Sequence, residues 1–573
     1  MNRTAFWIGL SVLAVVAMLW LWVGGGPRIE SGSALVLDVQ GAYVETSASP
    51  LLARVLGDGP RPLIGLLSEL TKAERDDRLE SVVLRIRPLQ IGWGKAQELR
   101  DAIARLGAEG RRTVAWLEVE SFGPNLEYYV ASAADEVWVA PATRNPFVGL
   151  AAEYLFLGGF FEKLGVDVEY ERVGRYKTAV ESFAESKMSE ANREMTTALL
   201  DSIESQFLSG IGAGRGLDPE AVREAVDAAP ISPAEMQELG LVDGVGFFDE
   251  LMDHLGDPPV VEAEEYARVD AESVGFDPVA TLALVYGSGA VVTGEGGSDL
   301  GGDPVLAAGT VARAIEDASM DSEVSGILFR IDSPGGSALA SDLVWHATQR
   351  ARERGKPVVA SFSDVAASGG YYVAAGADRI VAQPGTYTGS IGVFVLRPVL
   401  GGLFEKLGIG VEAMTRGTHA DLLLASRPLT PRTRARLRAD VQEVYELFVS
   451  RVAEGRSLPR DAVDAVGRGR VFTGAQAEEA GLVDALGGLR DAVGLLKEEI
   501  GLDRDDDVVL VTYPPPRPLA EQIRELLGAS LRRAALAGLG DLGDARLAAW
   551  LRTLAPLERG APVLIPPVIP RIR

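Results

Sequence analysis

The sequence has no cysteine and only three histidines among its 573 residues. Without cysteine, the chain has no disulfide, thiol nucleophile, iron–sulfur cluster or cysteine-based zinc site. His254, His346 and His419 are scattered and show no HExxH spacing, so we expect neither a metal site nor a bound cofactor. Lysine is scarce as well, because it supplies only 8 of the 56 basic residues. A general base in this chain therefore has few histidine or lysine candidates.

Positive charge is also in deficit, because 81 Asp and Glu stand against 56 Lys and Arg, a formal net charge of −25. A chain this acidic lacks the basic surface with which nucleic-acid-binding proteins contact phosphates, so we expect no nucleic-acid partner. The hydrophobic fraction of 47% is that of an ordinary globular protein. Length and composition together predict several folded domains with sizeable cores.

The N-terminus contains one long uncharged run, residues 5–23. At 1.5 Å per residue, a helix over this run spans about 28 Å, close to the hydrocarbon thickness of a bilayer. Trp7, Trp20 and Trp22 lie near its two ends, where tryptophan favours the membrane interface. We therefore predict a single transmembrane anchor. A removable signal peptide is the alternative, but the run is long and no small-residue cleavage site precedes Gly24.

The charges beside this run predict the orientation of the chain. Arg3 and the amino group place positive charge on the short N-terminal flank. The positive-inside rule then puts the N-terminus in the cytoplasm and the body of the chain on the periplasmic or exterior side of the inner membrane. We expect residues 1–33 to comprise a cytoplasmic stub, the anchor and a linker.

Internal repetition is the main feature of the rest of the chain. The segment 161–169 (FEKLGVDVE) returns as 404–412 (FEKLGIGVE), and 128–135 (YYVASAAD) returns as 371–378 (YYVAAGAD), both at an offset of 243 residues. Two blocks farther upstream match at an offset of 245 residues, so the first copy carries two extra residues. Four matches in the same order indicate a tandem duplication with a repeat unit of about 220 residues.

Each repeat has the pattern of an α/β unit with a mainly parallel sheet. Short apolar runs such as 81–86 and 326–331 are bounded by glycine, proline or charged residues, as buried strands are. They alternate with helical stretches, which predicts βαβ crossovers. We expect a first repeat over 34–278, a second over 279–502 and a tail with many Pro and Arg residues over 503–573.

The second repeat carries a serine in a setting that suits a nucleophile. A strand over 358–362 leads into Ser368, Gly369 and Gly370, which open a helix. Free N–H groups and the helix dipole at such a position favour developing negative charge, and the glycines leave the approach open. The equivalent of Ser368 in the first repeat is Asn125, so the first repeat has lost this feature.

The first repeat carries a lysine that the second repeat has lost. The segment 172–181 (RVGRYKTAVE) contains Lys177, and the equivalent position in the second repeat is Ala420. A neutral lysine amine removes a serine proton when burial and the absence of a nearby carboxylate lower its pKa. The reciprocal losses predict a Ser–Lys dyad of Ser368 and Lys177, assembled across the two repeats.

An oxyanion hole needs two backbone donors directed at one point. The segment 332–337 (DSPGGS) follows a predicted strand and places glycine amides at the carboxyl edge of the sheet. The amides of Gly336 and Gly369 are the expected donor pair. Ser390 supplies a further hydroxyl, which we expect to hold Lys177 in position.

The chain consists of two tandem repeats behind a predicted N-terminal anchor, and it carries the motifs DSPGGS, ASGGYY, TGSIG and RVGRYKTAVE. Together these features resemble bacterial signal peptide peptidase A in its long form. The resemblance covers the chain up to the tail and implies a Clp protease/crotonase-like fold. It also implies a membrane-bound peptidase, assembled as a homotetramer, that degrades signal peptides and similar apolar peptides. By this resemblance Ser368 is the nucleophile, Lys177 the general base, Ser390 its orienting serine, and Gly336 and Gly369 the oxyanion donors.

Three other interpretations stand beside this one. A catalytically silent scaffold would use the same fold for assembly only. A crotonase-type acyl-CoA enzyme would use the paired glycine amides to polarise a thioester, but it needs no Lys177, and an extracytoplasmic location lacks coenzyme A. A Ser-His-Asp triad through His346 or His419 has no carboxylate partner suggested by the sequence.

Overall fold

The structure is a computed structural model, and it describes residues 27–45, 61–119, 123, 125–144, 147–298, 304–515 and 563–564. The predicted anchor at residues 5–23 lies outside these ranges, as does most of the tail. Within the ranges described, no helix is both long enough and apolar enough to cross a membrane.

The first repeat alternates strands and helices from its first strand onward. Its strands are β1 (Ser33–Gly41), β2 (Tyr43–Val44), β3 (Arg61–Pro62), β4 (Leu79–Leu89), β5 (Arg112–Leu117), β6 (Glu136–Val139), β7 (Asp167–Val173), β8 (Gly244–Val245) and β9 (Val260–Glu262). Its α-helices are α1 (Leu63–Arg75), α2 (Trp93–Ala108), α3 (Asn125–Ala131), α4 (Gly158–Leu164), α5 (Glu181–Ala184), α6 (Glu190–Arg215), α7 (Pro219–Ala228), α8 (Pro233–Glu238), α9 (Phe248–His254) and α10 (Ala263–Tyr266). Short 3-10 helices lie at Thr178–Val180 and Glu272–Val274.

Six strands of the first repeat form a parallel sheet in the order β8-β6-β5-β4-β1-β9. Helices cover both faces of this sheet, so both faces of its strands are buried. Along β1, Leu35 and Leu37 pack into one core and Ala34 and Val36 into the other. This two-sided burial is why the strands appear in the sequence as continuous apolar runs.

The second repeat has the same kinds of element. Its strands are β10 (Ala280–Ser288), β11 (Ala290–Val292), β12 (Val305–Ala307), β13 (Val324–Ser333), β14 (Gly336–Ser337), β15 (Val358–Ala367), β16 (Arg379–Ala382), β17 (Tyr387–Gly389), β18 (Val393–Val399), β19 (Val471–Thr473), β20 (Ala485–Leu486) and β21 (Val508–Tyr513), and β22 (Val563–Leu564) follows in the tail. Its α-helices are α11 (Ala308–Met320), α12 (Ala338–Glu353), α13 (Gly369–Ala374), α14 (Gly401–Lys406), α15 (Pro431–Gly455), α16 (Arg460–Val466), α17 (Gly474–Glu479) and α18 (Leu489–Glu499). A 3-10 helix lies at Ala420–Leu423.

The second sheet has the order β19-β17-β15-β13-β10-β21, and β16 branches from β15 to pair with β20. Its pairings are parallel except that of β17 with β19. β21 pairs with β10 as β9 pairs with β1, so the edge strands of the two repeats correspond. Residues 508–513, which the sequence placed in the tail, therefore belong to the second sheet. Two α/β repeats with mainly parallel sheets agree with the predicted fold class.

A third sheet, in the order β12-β11-β14-β22-β18-β7, contains strands of both repeats. β7 of the first repeat pairs antiparallel with β18 of the second, and Val173 lies opposite Val393 at the end of β7. Glu169 on β7 also forms an ion pair with Arg397 on β18, at 2.7 Å. This pairing brings the segment that follows β7, including Lys177, into the second repeat.

The repeats also share their hydrophobic cores. Tyr387 and Val471 of the second repeat pack in the core of the first, and Val173 of the first repeat packs against the core of the second. Buried apolar area contributes about 25 cal/mol per Å² to stability, so separating the repeats would expose this surface at a cost. Apolar packing as well as strand pairing therefore binds the repeats together.

Candidate active site

Ser368 lies in a tight turn between a strand and a helix of the second repeat. β15 ends at Ala367 and α13 begins at Gly369. Between them Ser368 has φ 55° and ψ −114°, a left-handed φ that costs a non-glycine residue about 1–3 kcal/mol. The Ser368 N–H donates to the Gly389 carbonyl on β17 at 2.8 Å. The surrounding sheet therefore keeps Ser368 in a conformation that a free chain would avoid.

The structure brings Lys177 of the first repeat to Ser368 and Ser390 of the second. Lys177 follows β7 and immediately precedes the 3-10 helix Thr178–Val180. Its Nζ lies 2.7 Å from the Ser368 Oγ, 2.9 Å from the Ser390 Oγ and 3.0 Å from the Ser390 carbonyl oxygen. All three side chains are fully buried, at 0% exposure. The structure therefore brings together three of the residues that the sequence singled out.

The surroundings of Lys177 favour an uncharged amine. Burial lowers the pKa of Lys177 well below its ordinary value. Among the described residues no carboxylate contacts Nζ, whose partners are two hydroxyls and a carbonyl. In its neutral form the amine would keep two N–H donors for the Ser390 carbonyl and Oγ, and its lone pair would be free to accept the Ser368 hydroxyl hydrogen. This is the arrangement of a general base beside a nucleophile.

Gly336 and Gly369 lie side by side next to Ser368. A methyl group on Gly369 would lie 2.9 Å from the Gly336 nitrogen and 2.8 Å from the Ser341 Oγ. A methyl group on Gly336 would lie 2.1 Å from the Val291 carbonyl oxygen. These separations are too short for any side chain, so both positions require glycine. The two expected oxyanion donors are therefore brought together at the end of the turn that holds Ser368.

Sequence reasoning missed the loop 467–470 (GRGR), which supports the site from one side. The Arg470 carbonyl accepts the Ser390 N–H at 2.6 Å, and the Arg468 carbonyl accepts the Tyr176 N–H at 3.0 Å. The loop therefore holds both Ser390 and the residue before the lysine. Two glycines around an arginine are a turn signal in the sequence, but that signal does not show which distant segment the turn contacts.

The three histidines do not contribute to this site. His346 is exposed on α12, and the His254 Nε2 forms a hydrogen bond with Glu136 at 3.1 Å. His419 bonds a threonine hydroxyl at 3.1 Å. None of these rings bonds Ser368, so the triad interpretation finds no support. In the described part of the chain, no group of three or more His, Asp or Glu side chains is arranged to hold a metal ion.

The comparison with known families assigns the class of protein. The model of Peptidase family S49 matches residues 112–258 and 350–503, one segment in each repeat. The chain belongs to peptidase family S49. The match in both repeats agrees with the tandem duplication, and the peptidase family leaves the acyl-CoA interpretation without support.

Two relatives that each match more than four-fifths of this S49 chain are named as proteases. It is 34% identical over 485 residues to "Serine protease SPPA, chloroplastic" of Arabidopsis thaliana, covering 83% of this chain and 70% of that protein. It is 29% identical over 513 residues to "Protease 4" of Salmonella typhi, covering 82% of this chain and 79% of that protein. The chain is therefore a serine peptidase of family S49.

Solved structures that resemble this S49 chain include a mutant of ClpP1 from Listeria monocytogenes. The TM-score is 0.22 and the identity 14%, over 37% of this chain and 94% of that one. A likeness at this level supports no conclusion about activity, and the class of the enzyme rests on the family match and the relatives.

Substituting Gly469→Ala tests the role of loop 467–470. Gly469 has φ +83°, and a methyl group there would lie 2.4 Å from the backbone nitrogen of Lys177 and 2.6 Å from its Cα. The clash displaces Lys177, so we expect kcat for a peptide substrate to fall at least about tenfold, because small misplacements of reacting groups are costly.

Gly355→Ala is the matched control for this substitution. Gly355 has φ +80° and nothing within 4 Å of an added methyl group, so it imposes the same backbone strain without the clash. We expect Gly355→Ala to keep kcat within about twofold of the unsubstituted chain, because its strain is local. Equal kcat values for the two variants would contradict the proposed support of Lys177.

Proposed function

We propose that this S49 peptidase is a membrane-anchored endopeptidase that uses Ser368 and Lys177 to degrade apolar peptides, such as cleaved signal peptides. The observation that carries the proposal is the 2.7 Å contact between the Lys177 Nζ and the Ser368 Oγ in a fully buried setting. A lysine without a carboxylate partner, in contact with a serine hydroxyl, is suited to act as a base rather than as a fixed charge.

The geometry supports a two-stage hydrolysis. In the first stage the Ser368 Oγ attacks the peptide carbonyl carbon while its proton passes to the Lys177 Nζ. The amides of Gly336 and Gly369 then donate to the oxyanion. The Lys177 ammonium gives its proton to the leaving amine, the C–N bond breaks and an ester to Ser368 is left. In the second stage Lys177 takes a proton from water, whose oxygen attacks the ester carbon. The C–O bond to Ser368 then breaks, and the proton returns to Oγ.

Strand β22 supports an extended mode of peptide binding. It runs antiparallel to both β14 and β18, with Leu564 opposite Gly336 and Val563 opposite Phe394. Neighbouring strands lie about 4.8 Å apart, so the slot between β14 and β18 is the width of one extended peptide. The backbone of this chain thus occupies the place where a substrate would add as a strand beside the expected oxyanion donor.

The strands around the slot support a preference for apolar peptides. β11, which pairs with β14, reads Ala-Val-Val, and Val291 at its centre is buried. β18, on the other side, begins with the buried residues Val393, Phe394 and Val395. Apolar side chains of a peptide in the slot would meet apolar neighbours, and the central segments of signal peptides are apolar.

The membrane part of the proposal depends on the apolar run at residues 5–23. With the positive charge of Arg3 before it, this run supports a single pass through the inner membrane and a catalytic body on the periplasmic side. We extend the proposal to a homotetramer, as the resemblance to signal peptide peptidase A implies.

Substituting Ser368→Ala or Lys177→Met tests the dyad. We expect each variant to lose at least about 100-fold in kcat/KM for an apolar peptide, because a nucleophile or its base is removed. Ser186→Ala and Lys187→Met are the controls, since both residues are exposed and lie close in sequence to Lys177.

The pH dependence of kcat/KM gives a second measurement. Only the neutral amine accepts a proton, so we expect kcat/KM to fall as the pH drops through the lowered pKa of Lys177.

The outcomes of this experiment separate the remaining alternatives. Activity that survives both Ser368→Ala and Lys177→Met would refute the dyad. If the unsubstituted chain hydrolysed no apolar peptide, the interpretation as a catalytically silent scaffold would be favoured. The chain's membership of family S49 would be unaffected by that result.

Removing residues 516–573 tests whether β22 competes with substrate for the slot. We expect KM for a short apolar peptide to fall about three- to tenfold with kcat unchanged, because an occupied site weakens apparent affinity by its occupancy. The double substitution Val563→Pro and Leu564→Pro should act in the same direction, because proline cannot donate to a strand pairing. Unchanged KM values in both variants would show that β22 does not compete.

Removing residues 1–26 tests the anchor. We expect the full chain to sediment with membranes through an alkaline carbonate wash, because a spanning helix is retained where a surface-bound protein is released. The shortened chain should appear in the soluble fraction with its peptidase activity retained. Retention of the shortened chain on membranes would locate the attachment elsewhere in the protein.

A further inference from the structure

Lys95 is a second buried lysine, and the hydrolytic steps above do not use it. It belongs to α2 of the first repeat and is 4% exposed. Its Nζ lies 2.5 Å from the Asp332 Oδ2 and 3.0 Å from the Asp364 Oδ2. Both aspartates belong to the second repeat, so Lys95 connects the two repeats through two partly buried ion pairs.

The two aspartates occupy matching places in the chain. Asp332 comes four residues before Gly336, the expected oxyanion donor, and Asp364 comes four residues before Ser368, the expected nucleophile. Lys95 therefore contacts the start of both segments that supply the reacting site. A single ammonium group links the approach to the oxyanion donor with the approach to the nucleophile.

The second sheet is irregular where these aspartates lie. β13 and β15 pair at Ile331↔Phe362 and resume at Ser333↔Ala366. Three residues of β15 thus stand opposite one residue of β13 in this bulge. A bulge interrupts the regular backbone hydrogen bonds between two strands, so other contacts must set the relative position of the segments that follow it.

The aspartates provide such contacts through backbone N–H groups. The Asp332 carboxylate accepts the Val365 N–H across the bulge at 3.2 Å. The Asp364 carboxylate accepts the N–H groups of Gly92 and Lys95 at the start of α2, at 2.9 and 2.8 Å. Asp364 is therefore held both by the Lys95 ammonium and by the start of helix α2, and Asp332 by the ammonium and the Val365 N–H.

The charge balance of this region depends on Lys95. The other cation, Arg330, is bound to Glu45 at 2.9 Å and to Glu98 at 2.6 Å. Lys95 lies 3.7 Å from Glu45 as well, but among the described residues it is the cation that contacts the two aspartates. Buried carboxylates are costly without a partner. Removing the lysine would leave the two aspartates facing each other across the bulge.

We propose that Lys95 is a positioning residue for the peptidase reaction, because it joins Asp332 to Asp364 and thereby fixes Gly336 relative to Ser368. The proposal rests on the roles proposed above for Ser368 and Gly336. It gives the first repeat a second contribution to the site, in addition to Lys177. Burial raises the pKa of Asp332, and the charge of Lys95 opposes that rise.

The test compares Lys95→Met with Lys72→Met in the full chain. Lys72 is a matched control because it too is a buried lysine of the first repeat, at 7% exposure, but its Nζ donates to carbonyls of that repeat, including Val269 at 3.0 Å. We expect Lys95→Met to lower kcat about 10- to 100-fold with KM within about threefold, because geometry at the reacting atoms is lost while peptide binding is kept. Lys72→Met should keep both values within about threefold.

A transition-state analogue distinguishes positioning from a general loss of stability. A peptide aldehyde forms a tetrahedral adduct with the serine and places its oxygen between the oxyanion donors. We expect its affinity to fall in Lys95→Met in parallel with kcat/KM, while the affinity of an uncleavable peptide of the same sequence, measured on a Ser368→Ala background, stays unchanged. Circular dichroism melts of both lysine variants report their folding.

A double substitution supplies the rescue. In Lys95→Met with Asp332→Asn, one of the two carboxylates that have lost their cation is neutralised, while an oxygen is kept for the Val365 N–H. We expect kcat to recover at least about threefold over Lys95→Met alone, because contacting groups are energetically coupled.

Equal kcat and aldehyde affinity in the Lys95 and Lys72 variants would overturn the positioning role, and so would a double variant no better than Lys95→Met. If Ser368→Ala kept full activity, the proposed function itself would fail, and that result is independent of the Lys95 comparison.

Discussion

The site depends on one constraint, the burial of a lysine amine that contacts no carboxylate of the described residues. A lysine serves as a base near neutral pH only if its charged form is made unfavourable, and desolvation is the effect that does so here. Water or an acidic neighbour would restore the charge. The pocket around the Lys177 Nζ accordingly offers hydroxyls and a carbonyl, which bind a neutral amine without favouring its protonation. No single repeat provides this enclosure, because the lysine comes from one repeat and both serines from the other.

Two buried lysines in the same chain show how neighbours decide the role of a side chain. Burial lowers the pKa of Lys177, and in the part of the chain that the structure describes no carboxylate opposes the effect. Around Lys95, the carboxylates of Asp332, Asp364 and Glu45 outweigh burial and raise its pKa. The first lysine is therefore suited to exchange protons and the second to remain a permanent cation. This difference fits a proposed base in one case and a proposed electrostatic link between two strands in the other.

The first repeat has lost the serine and glycines of the nucleophile turn, yet it remains part of the site. Its strand β7 pairs with β18 and carries the following residues to the nucleophile. Through Lys95, its helix α2 contacts the ends of strands β13 and β15, which precede Gly336 and Ser368. After the duplication, each repeat thus supplies site residues that the other lacks. Apolar side chains of each repeat also pack against the core of the other, which holds the two together.

Local patterns in the sequence determined the repeat, the α/β class with mainly parallel sheets, and the pairing of Ser368 with Lys177. Apolar runs reflect burial on both faces of a strand, glycines mark tight turns, and reciprocal differences between repeats mark divided roles. Apart from the reciprocal differences, which pointed to Ser368 and Lys177, these patterns do not indicate which distant residues meet. The contacts of Lys95 with Asp332, of loop 467–470 with the lysine segment, and of β22 with β14 were decided by tertiary structure alone. Each joins segments far apart in the chain, and packing of the whole fold, rather than local backbone preference, sets their distance.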